Sequence, residues 1–266
     1  MLHIYDAIAY ESRIEKGGRT RPIIVTVRDH NGELKQYVVK LYSEKDVQEN
    51  MTIARDVLTV ALAEEFDLLT PNPAFIRFTD TFFQTNLPNG LPEEIKKGGL
   101  LKFSCEYLPG ANNFGKNLAK NIPDGLFKID TVFAFDNLVR NFDRRFDEKT
   151  NLLLLNHDIY LIDHEFCLTI DLEHIEDIET QNWKYNYKGH VFYPYLSQHS
   201  KQTIAQYFDE FEEHLKWLNI LKLNSYVSQL EELNFPMPDI EILKRYLQHN
   251  KQNSYKFVTL LKGILQ

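Results

Sequence analysis

The pattern of apolar and polar positions divides the chain into a strand-rich first hundred residues and a helical remainder. Residues 2–14 alternate loosely, and residues 22–28 are β-branched and alternating, which predicts a strand. Between them the glycine pair Gly17-Gly18 breaks the pattern. Asn31-Gly32 follows, a dipeptide that favours a tight hairpin because both residues tolerate positive φ. Residues 36–42 supply the return strand. Ser43-Glu44-Lys45-Asp46 reads as a capping box opening a helix. Val47, Met51, Ala54, Leu58, Ala61 and Leu62 continue it at helical spacing to about Leu69, where Pro71 and Pro73 would stop it. Residues 73–79 and 99–106 predict two more strands around a loop rich in Pro, Gly and Lys.

The pattern changes at Tyr107-Leu108-Pro109-Gly110. Beyond it, Phe127, Val132, Phe135, Leu138 and Val139 predict a helix over 126–140 buried on one face. Residues 141–150 are a charged loop. Two apolar runs, 152–155 and 159–162, joined by Asn156-His157-Asp158, predict a small hairpin. From 204 to 266 the pattern is helical, interrupted at Phe235-Pro236-Met237-Pro238. The fold class is therefore α+β, with residues 1–108 as a sheet-rich N-terminal lobe and 109–266 as a helical C-terminal lobe of one domain.

Composition narrows the function classes. The 266 residues are 43% hydrophobic and 26% charged, ordinary for a soluble globular chain large enough to bury a substantial core. The net charge of −8 argues against sequence-independent nucleic-acid binding, which needs a basic face to displace counterions. Cys105 and Cys167 are far apart in apolar contexts and read as small buried hydrophobes, not as a disulfide. The first ten residues lack a basic region followed by an apolar run, and no stretch approaches a membrane span, so the cytoplasm is the expected compartment.

Chemistry concentrates in two places. Asn141-Phe142-Asp143-Arg144-Arg145, then Asn151, then Ile162-Asp163-His164-Glu165 put an aspartate in the loop after a helix, an asparagine at the start of a hairpin and an aspartate at its end. Metal-dependent phosphoryl transfer needs such a set: one carboxylate to orient the attacking hydroxyl, an amide oxygen and a second carboxylate to hold magnesium against phosphates. A solvated charged loop before an ordinary hairpin is the alternative reading. In the first half, Lys40 lies in the apolar run Val38-Val39-Lys40-Leu41-Tyr42. Such a lysine is commonly a surface residue with a buried stem. Here its place, after a hairpin with glycine and before a long helix, also suits a phosphate-binding lysine. Gly17-Gly18 could lay backbone N–H groups over phosphates, or form a plain turn.

Together these segments resemble the HipA-like kinases, most closely their short stand-alone bacterial branch. The resemblance is carried by Gly17-Gly18-Arg19-Thr20-Arg21-Pro22, Val39-Lys40-Leu41, Phe103-Ser104-Cys105-Glu106-Tyr107-Leu108-Pro109-Gly110, Asn141-Phe142-Asp143-Arg144-Arg145 with Asn151, Ile162-Asp163-His164-Glu165, and His190-Val191-Phe192-Tyr193-Pro194. It implies a bilobal kinase-like fold with ATP in a cleft between lobes. By this resemblance Asp143 matches the catalytic aspartate, Asn151 and Asp163 the magnesium ligands, and Lys40 the phosphate lysine. Gly17 and Gly18 would cover the phosphates, and the backbone of Cys105, Glu106 and Tyr107 would meet adenine. Asp56 is the expected carboxylate partner of Lys40, with Glu49 as the alternative. Asp143 and Asn151 are eight residues apart, so their loop must bulge for both to reach one metal. A hydroxyl near the glycine pair, Thr20 or Ser12, is a candidate for autophosphorylation.

The implied activity is transfer of the γ-phosphoryl of ATP to a hydroxyl, by default a protein serine or threonine. Two rivals stay open: a non-catalytic nucleotide-binding pseudokinase acting through partners, and transfer of AMP from a flipped ATP.

Overall fold

The computed structural model describes residues 1–14, 19–115, 127–146, 149–184 and 187–266. Its contacts form two compact units, each discontinuous in sequence. The first comprises Met1–Leu58, Pro71–Pro109 and Ser225–Met237; the second, Thr59–Thr70, Gly110–Asn224 and Pro238–Gln266.

The first unit is built on strands β1 (His3–Arg13), β2 (Ile23–Arg28), β3 (Leu34–Val39), β4 (Pro73–Arg77) and β5 (Leu101–Glu106). Their order is β1-β2-β3-β5-β4, and the sheet closes into a barrel because β1 also pairs with β4. One long strand serves both edges. His3 to Asp6 run parallel to β4, while Ala7 to Arg13 run antiparallel to β2, with register shifts between Ala7 and Ala9 and between Tyr10 and Ser12. Such irregularities bend a strand and let a sheet curl shut. Alternation fills the inside: Ala7, Val25, Val27, Tyr37, Val39 and Ile76 form the core cluster. Lys102 pairs with Ile76 across the ladder and is wholly buried. Its ammonium donates to the Lys97 carbonyl, and burial pushes its pKa down to about 8.

The β2–β3 turn differs from the expected two-residue hairpin. Only Gly32 takes positive φ, at 85°. The Gly32 N–H donates to the Asp29 carbonyl at 3.0 Å and the Asp29 N–H to the Glu33 carbonyl at 2.9 Å, a three-residue loop with a glycine bulge. The buried Asp29 side chain decides it, since its Oδ1 accepts the N–H groups of both Asn31 and Glu33 at 2.9 Å.

The single helix predicted from Ser43 onward is two. In α1 (Glu44–Gln48) the capping box is present: Ser43 Oγ accepts the Asp46 N–H at 3.2 Å, and Asp46 Oδ2 accepts the Ser43 N–H at 3.1 Å. Met51, at φ 53°, then breaks the chain before α2 (Thr52–Glu65). The prolines do not stop α2. Asp67 at φ 51° does, with the Leu68 N–H on the Ala63 carbonyl at 3.1 Å, a Schellman ending. Short helices α3 (Asp80–Phe83) and α4 (Leu91–Lys96) follow, and Leu91 and Ile95 of α4 add to the barrel core. The loop predicted over 87–98 therefore contains a helix.

A late segment completes this unit. Gln229 brackets Leu2, accepting its N–H and donating to its carbonyl, both at 2.7 Å. Phe235 stacks on Phe75 with ring centres 5.5 Å apart.

The second unit holds β6 (Asn112–Asn113), α5 (Ile129–Leu138), the hairpin β7 (Leu152–Leu155) and β8 (Asp158–Leu161), and helices α6 (Glu173–Glu179), α7 (Tyr193–Leu196), α8 (Lys201–Ile204), α9 (Asp209–Trp217), the opening of α10 (Leu223–Glu232), α11 (Ile240–Gln252) and α12 (Ser254–Ile264). Every residue of α5 except Asp130 is buried, so it is a central helix, not the one-faced helix predicted. Phe135 packs on Phe66, which stacks on Phe211 of α9 at 5.0 Å. Tyr246 of α11 donates to the Leu138 carbonyl at 3.0 Å. Among the described residues no helix is long and apolar enough to cross a membrane.

Candidate active-site residues

Lys40 follows β3 directly. Its N–H donates to the Phe103 carbonyl at 3.3 Å, which continues the ladder one residue past the strand. The surface reading does not hold, since the residue is only 7% exposed. Its ammonium lies 3.1 and 3.0 Å from the two oxygens of Asp56, on the buried face of α2. Tyr42 donates to the same carboxylate at 2.5 Å. Glu49 is exposed and faces Lys45 at 3.9 Å, so Asp56 is the partner. Paired, the buried lysine and the buried carboxylate offset each other's desolvation, and the Tyr42 hydroxyl satisfies a further lone pair.

Cys105 and Glu106 end β5, which lies between β3 and β4, and Tyr107 follows. The Glu106 N–H donates to the Asn72 carbonyl and the Tyr107 N–H to the Gln36 carbonyl, both at 2.8 Å. Those two donors are committed within the sheet, so any adenine contact there falls to other backbone groups. Cys105 is half-buried, Cys167 is buried, and the two are not bonded to each other. Gly17 and Gly18 lie outside the described residues.

In the second unit, the loop after α5 brings the predicted pair together. Asn151 Nδ2 donates to Asp143 Oδ2 at 3.0 Å and to the Asp143 carbonyl at 3.2 Å, so the two side chains meet across their eight-residue spacing. Arg145 donates to Asp143 Oδ1 at 3.2 Å. Asp163 follows the closing strand of the hairpin that Asn151 opens: β7 and β8 pair from Leu152–Leu161 inward, and the Ile162 N–H, one residue before it, donates to the Asn151 carbonyl at 3.1 Å. Asn151 and Asp163 both hold positive φ, 50° and 59°. Asn and Asp accept that conformation more readily than other residues with a side chain, and such backbone settings concentrate at functional sites.

Beneath this loop lies a network that the sequence did not reveal. Arg144 is fully buried. Its Nε donates to Asp136 Oδ2 at 2.5 Å and its Nη1 to the Asn151 carbonyl. Its Nη2 is 3.4 Å from His164 Nε2, which places His164 in a structural contact. Asp136 also takes Asn141 Nδ2 at 2.9 Å and His190 Nε2 at 2.8 Å. Because His190 Nδ1 accepts the Phe192 N–H at 3.1 Å, the ring is neutral with its proton on Nε2. Burial is the largest influence on Asp136 and opposes its charge. The Arg144 charge and the His190 bond outweigh it and hold the carboxyl below its usual range. Burial dominates at His190 and lowers its pKa. The one available signal was a charged residue in the apolar run of α5, Phe133-Ala134-Phe135-Asp136.

The donor set Asp143, Asn151 and Asp163 is all hard oxygen once the amide nitrogen of Asn151 is engaged, which fits magnesium. Among the described residues no three His, Cys, Asp or Glu side chains gather as a metal cage. Magnesium seldom uses one, because substrate phosphates and water complete its shell.

The chain matches the HipA-like kinase family over residues 10–255. Among solved structures it is similar to the Helicobacter pylori proinflammatory kinase CtkA, with a TM-score of 0.53 and 13% identity, covering 100% of this chain and 98% of that one. No curated protein matches. Identity that low speaks for the kinase-like α+β fold alone, whereas the family match spans both units. The chain belongs to the HipA-like kinase family.

Proposed function

We propose that this chain transfers the γ-phosphoryl of ATP to a hydroxyl, most naturally that of a protein serine or threonine, with magnesium as the cofactor. The observation that most supports this is the Asn151 amide on the Asp143 carboxylate at 3.0 Å, over a fully buried Arg144 that ties loop and hairpin together. Catalysis by positioning and preorganised charge demands this rigidity.

In this reading Asp143 accepts a hydrogen bond from the acceptor hydroxyl and aims its oxygen at the γ-phosphorus. As the new O–P bond forms, the bond to the β–γ bridging oxygen breaks, ADP leaves with the electron pair, and the hydroxyl proton is released through Asp143. Asn151 and Asp163 would hold magnesium, whose charge, when bound, offsets that of the phosphate oxygens. Lys40, fixed by Asp56, neutralises phosphate charge. Adenine lies against the backbone of residues 105–107.

The test is incubation with magnesium, a protein lysate and ATP labelled at either the α or the γ position. Transfer of the γ label alone, lost in Asp143→Asn, is expected; transfer of the α label would mean AMP transfer. Calorimetry of Asp163→Ala should show loss of magnesium-dependent ATP binding with the melting temperature retained. Unchanged affinity would remove Asp163 from the metal site.

A further inference from the structure

The second unit carries an open groove of about 830 Å³ walled by the end of α9, the link after it and one face of α11. Trp217 and Leu221 project into it and are 80% and 73% exposed, although both are large and apolar. Ile220 and Ile175 line the same groove. Isolated exposed apolar residues are ordinary, but an exposed Trp and Leu sharing one concavity with further apolar side chains are the mark of a contact surface.

The charge of the groove runs against that of the molecule. The chain has a net charge of −8, yet none of the lining residues is acidic, while Lys244, Arg245 and Lys251 all line it. Lys244 is met by Glu241 from outside at 3.4 Å, and His249 by Glu179 at 3.1 Å. Arg245 is exposed and has no carboxylate partner among the described residues. Lys251 is held by the Leu218 carbonyl at 2.8 Å, which braces the groove wall, and it meets no carboxylate among the described residues. Trp and Arg together are the residues that most often dominate binding energy at protein interfaces.

We propose that this groove docks an acidic segment of a partner protein, one bulky apolar side chain of which packs on Trp217 and Leu221 while its carboxylates meet Arg245 and Lys251. Apolar contact supplies affinity, and the unneutralised cations select an acidic partner and speed its encounter. The groove uses none of the residues assigned above to phosphoryl transfer, so this inference stands independently of that reading.

The test uses the full chain and a fluorescein-labelled model peptide with Leu and Phe on one helical face and Glu elsewhere. A counterpart with Lys in place of Glu is the control, read by fluorescence anisotropy at low and high salt. The acidic peptide should bind, more weakly at high salt, and the lysine peptide should not. Trp217→Ala and Arg245→Glu should each weaken binding by about tenfold or more. Both positions are exposed, so melting temperature and phosphotransfer should be unchanged, which separates failure here from failure of the kinase reading. Absence of peptide binding, equal binding of both peptides, or indifference to both substitutions would overturn the proposal. So would binding of an oligothymidylate in place of the acidic peptide, or self-association dependent on Trp217, since either assigns the groove to a different occupant.

Discussion

The Lys40–Asp56 pair shows how burial changes the meaning of a residue. As a residue on a strand with an exposed end, Lys40→Met would cost little; buried with Asp56, it cannot be neutral. The substitution removes the cation from a carboxylate that is 1% exposed and accepts from Tyr42, and breaking such a pair costs about 3–5 kcal/mol. Urea unfolding should show that loss in Lys40→Met, and the double variant Lys40→Met, Asp56→Leu should recover most of it. If the double variant regains stability but not ATP affinity, the lysine acts on phosphate. Lys102 is the opposite case, a buried ammonium with no carboxylate partner among the described residues. Its folded pKa of about 8 lies below the 10.5 of a free lysine, so between those values the unfolded state binds more protons and stability rises with pH. Unfolding free energy should climb by about 3 kcal/mol between pH 8 and 10.5 on account of this group. In Lys102→Met that rise should vanish, with the variant more stable than the parent at pH 7.

At the scale of elements, turns carry the most readable consequences. Asn156 and His157 join β7 to β8 at φ 51° and 73°, a two-residue turn with both residues left-handed. His157 is exposed and gains nothing visible for its strain, so His157→Gly should stabilise the hairpin by up to about 1 kcal/mol, read as a raised melting temperature. Gly98 is constrained in the opposite sense. Its φ is +67°, and a Cβ there would stand 2.6 Å from the Tyr42 carbonyl oxygen. Gly98→Ala should push the loop after α4 off the segment that carries Lys40 and Tyr42, costing about 1–3 kcal/mol and loosening the Tyr42–Asp56 bond. Retained melting temperature in that variant would show the loop to be unimportant.

For the molecule as a whole, acid is the expected weakness. His190 is buried neutral, with its pKa lowered chiefly by desolvation. A histidine lowered on folding binds more protons in the unfolded chain below its free value of 6.5, so stability falls as pH drops through that point. Asp136 adds a second loss at lower pH, as its folded carboxyl, held below 3.8 by Arg144 and His190 against the effect of burial, is protonated. Both groups anchor the loop of Asp143 and Asn151, so fold and proposed site should fail together. Melting temperature should decline from pH 7 to 5, and His190→Gln should flatten that decline. An unchanged slope in the variant would place the acid sensitivity elsewhere, the half-buried His174 being another imidazole with a lowered pKa.

Local signals in the sequence determined what local forces govern. Alternation in 22–28 specified a strand, the capping box at Ser43 a helix start, and the order of Lys40, Asp143, Asn151 and Asp163 the family, because each depends on neighbours in the chain. Tertiary structure decided whatever depends on residues distant in sequence. It closed a predicted sheet into a barrel through parallel pairing of β1 with β4, and it bound Leu2 to Gln229 across 227 positions. It also split one predicted helix at Met51, where Asn50 and Met51 give no composition signal strong enough to mark a break. The choice of Asp56 over Glu49 was likewise tertiary, since both share a face of the predicted helix and the fold buries Asp56 beside Tyr42 while Glu49 stays exposed. The Arg144 network was hidden for the same reason. A charged residue reads as surface until the fold surrounds it with Asp136, His164 and His190, and no pattern of period two or 3.6 encodes that encirclement.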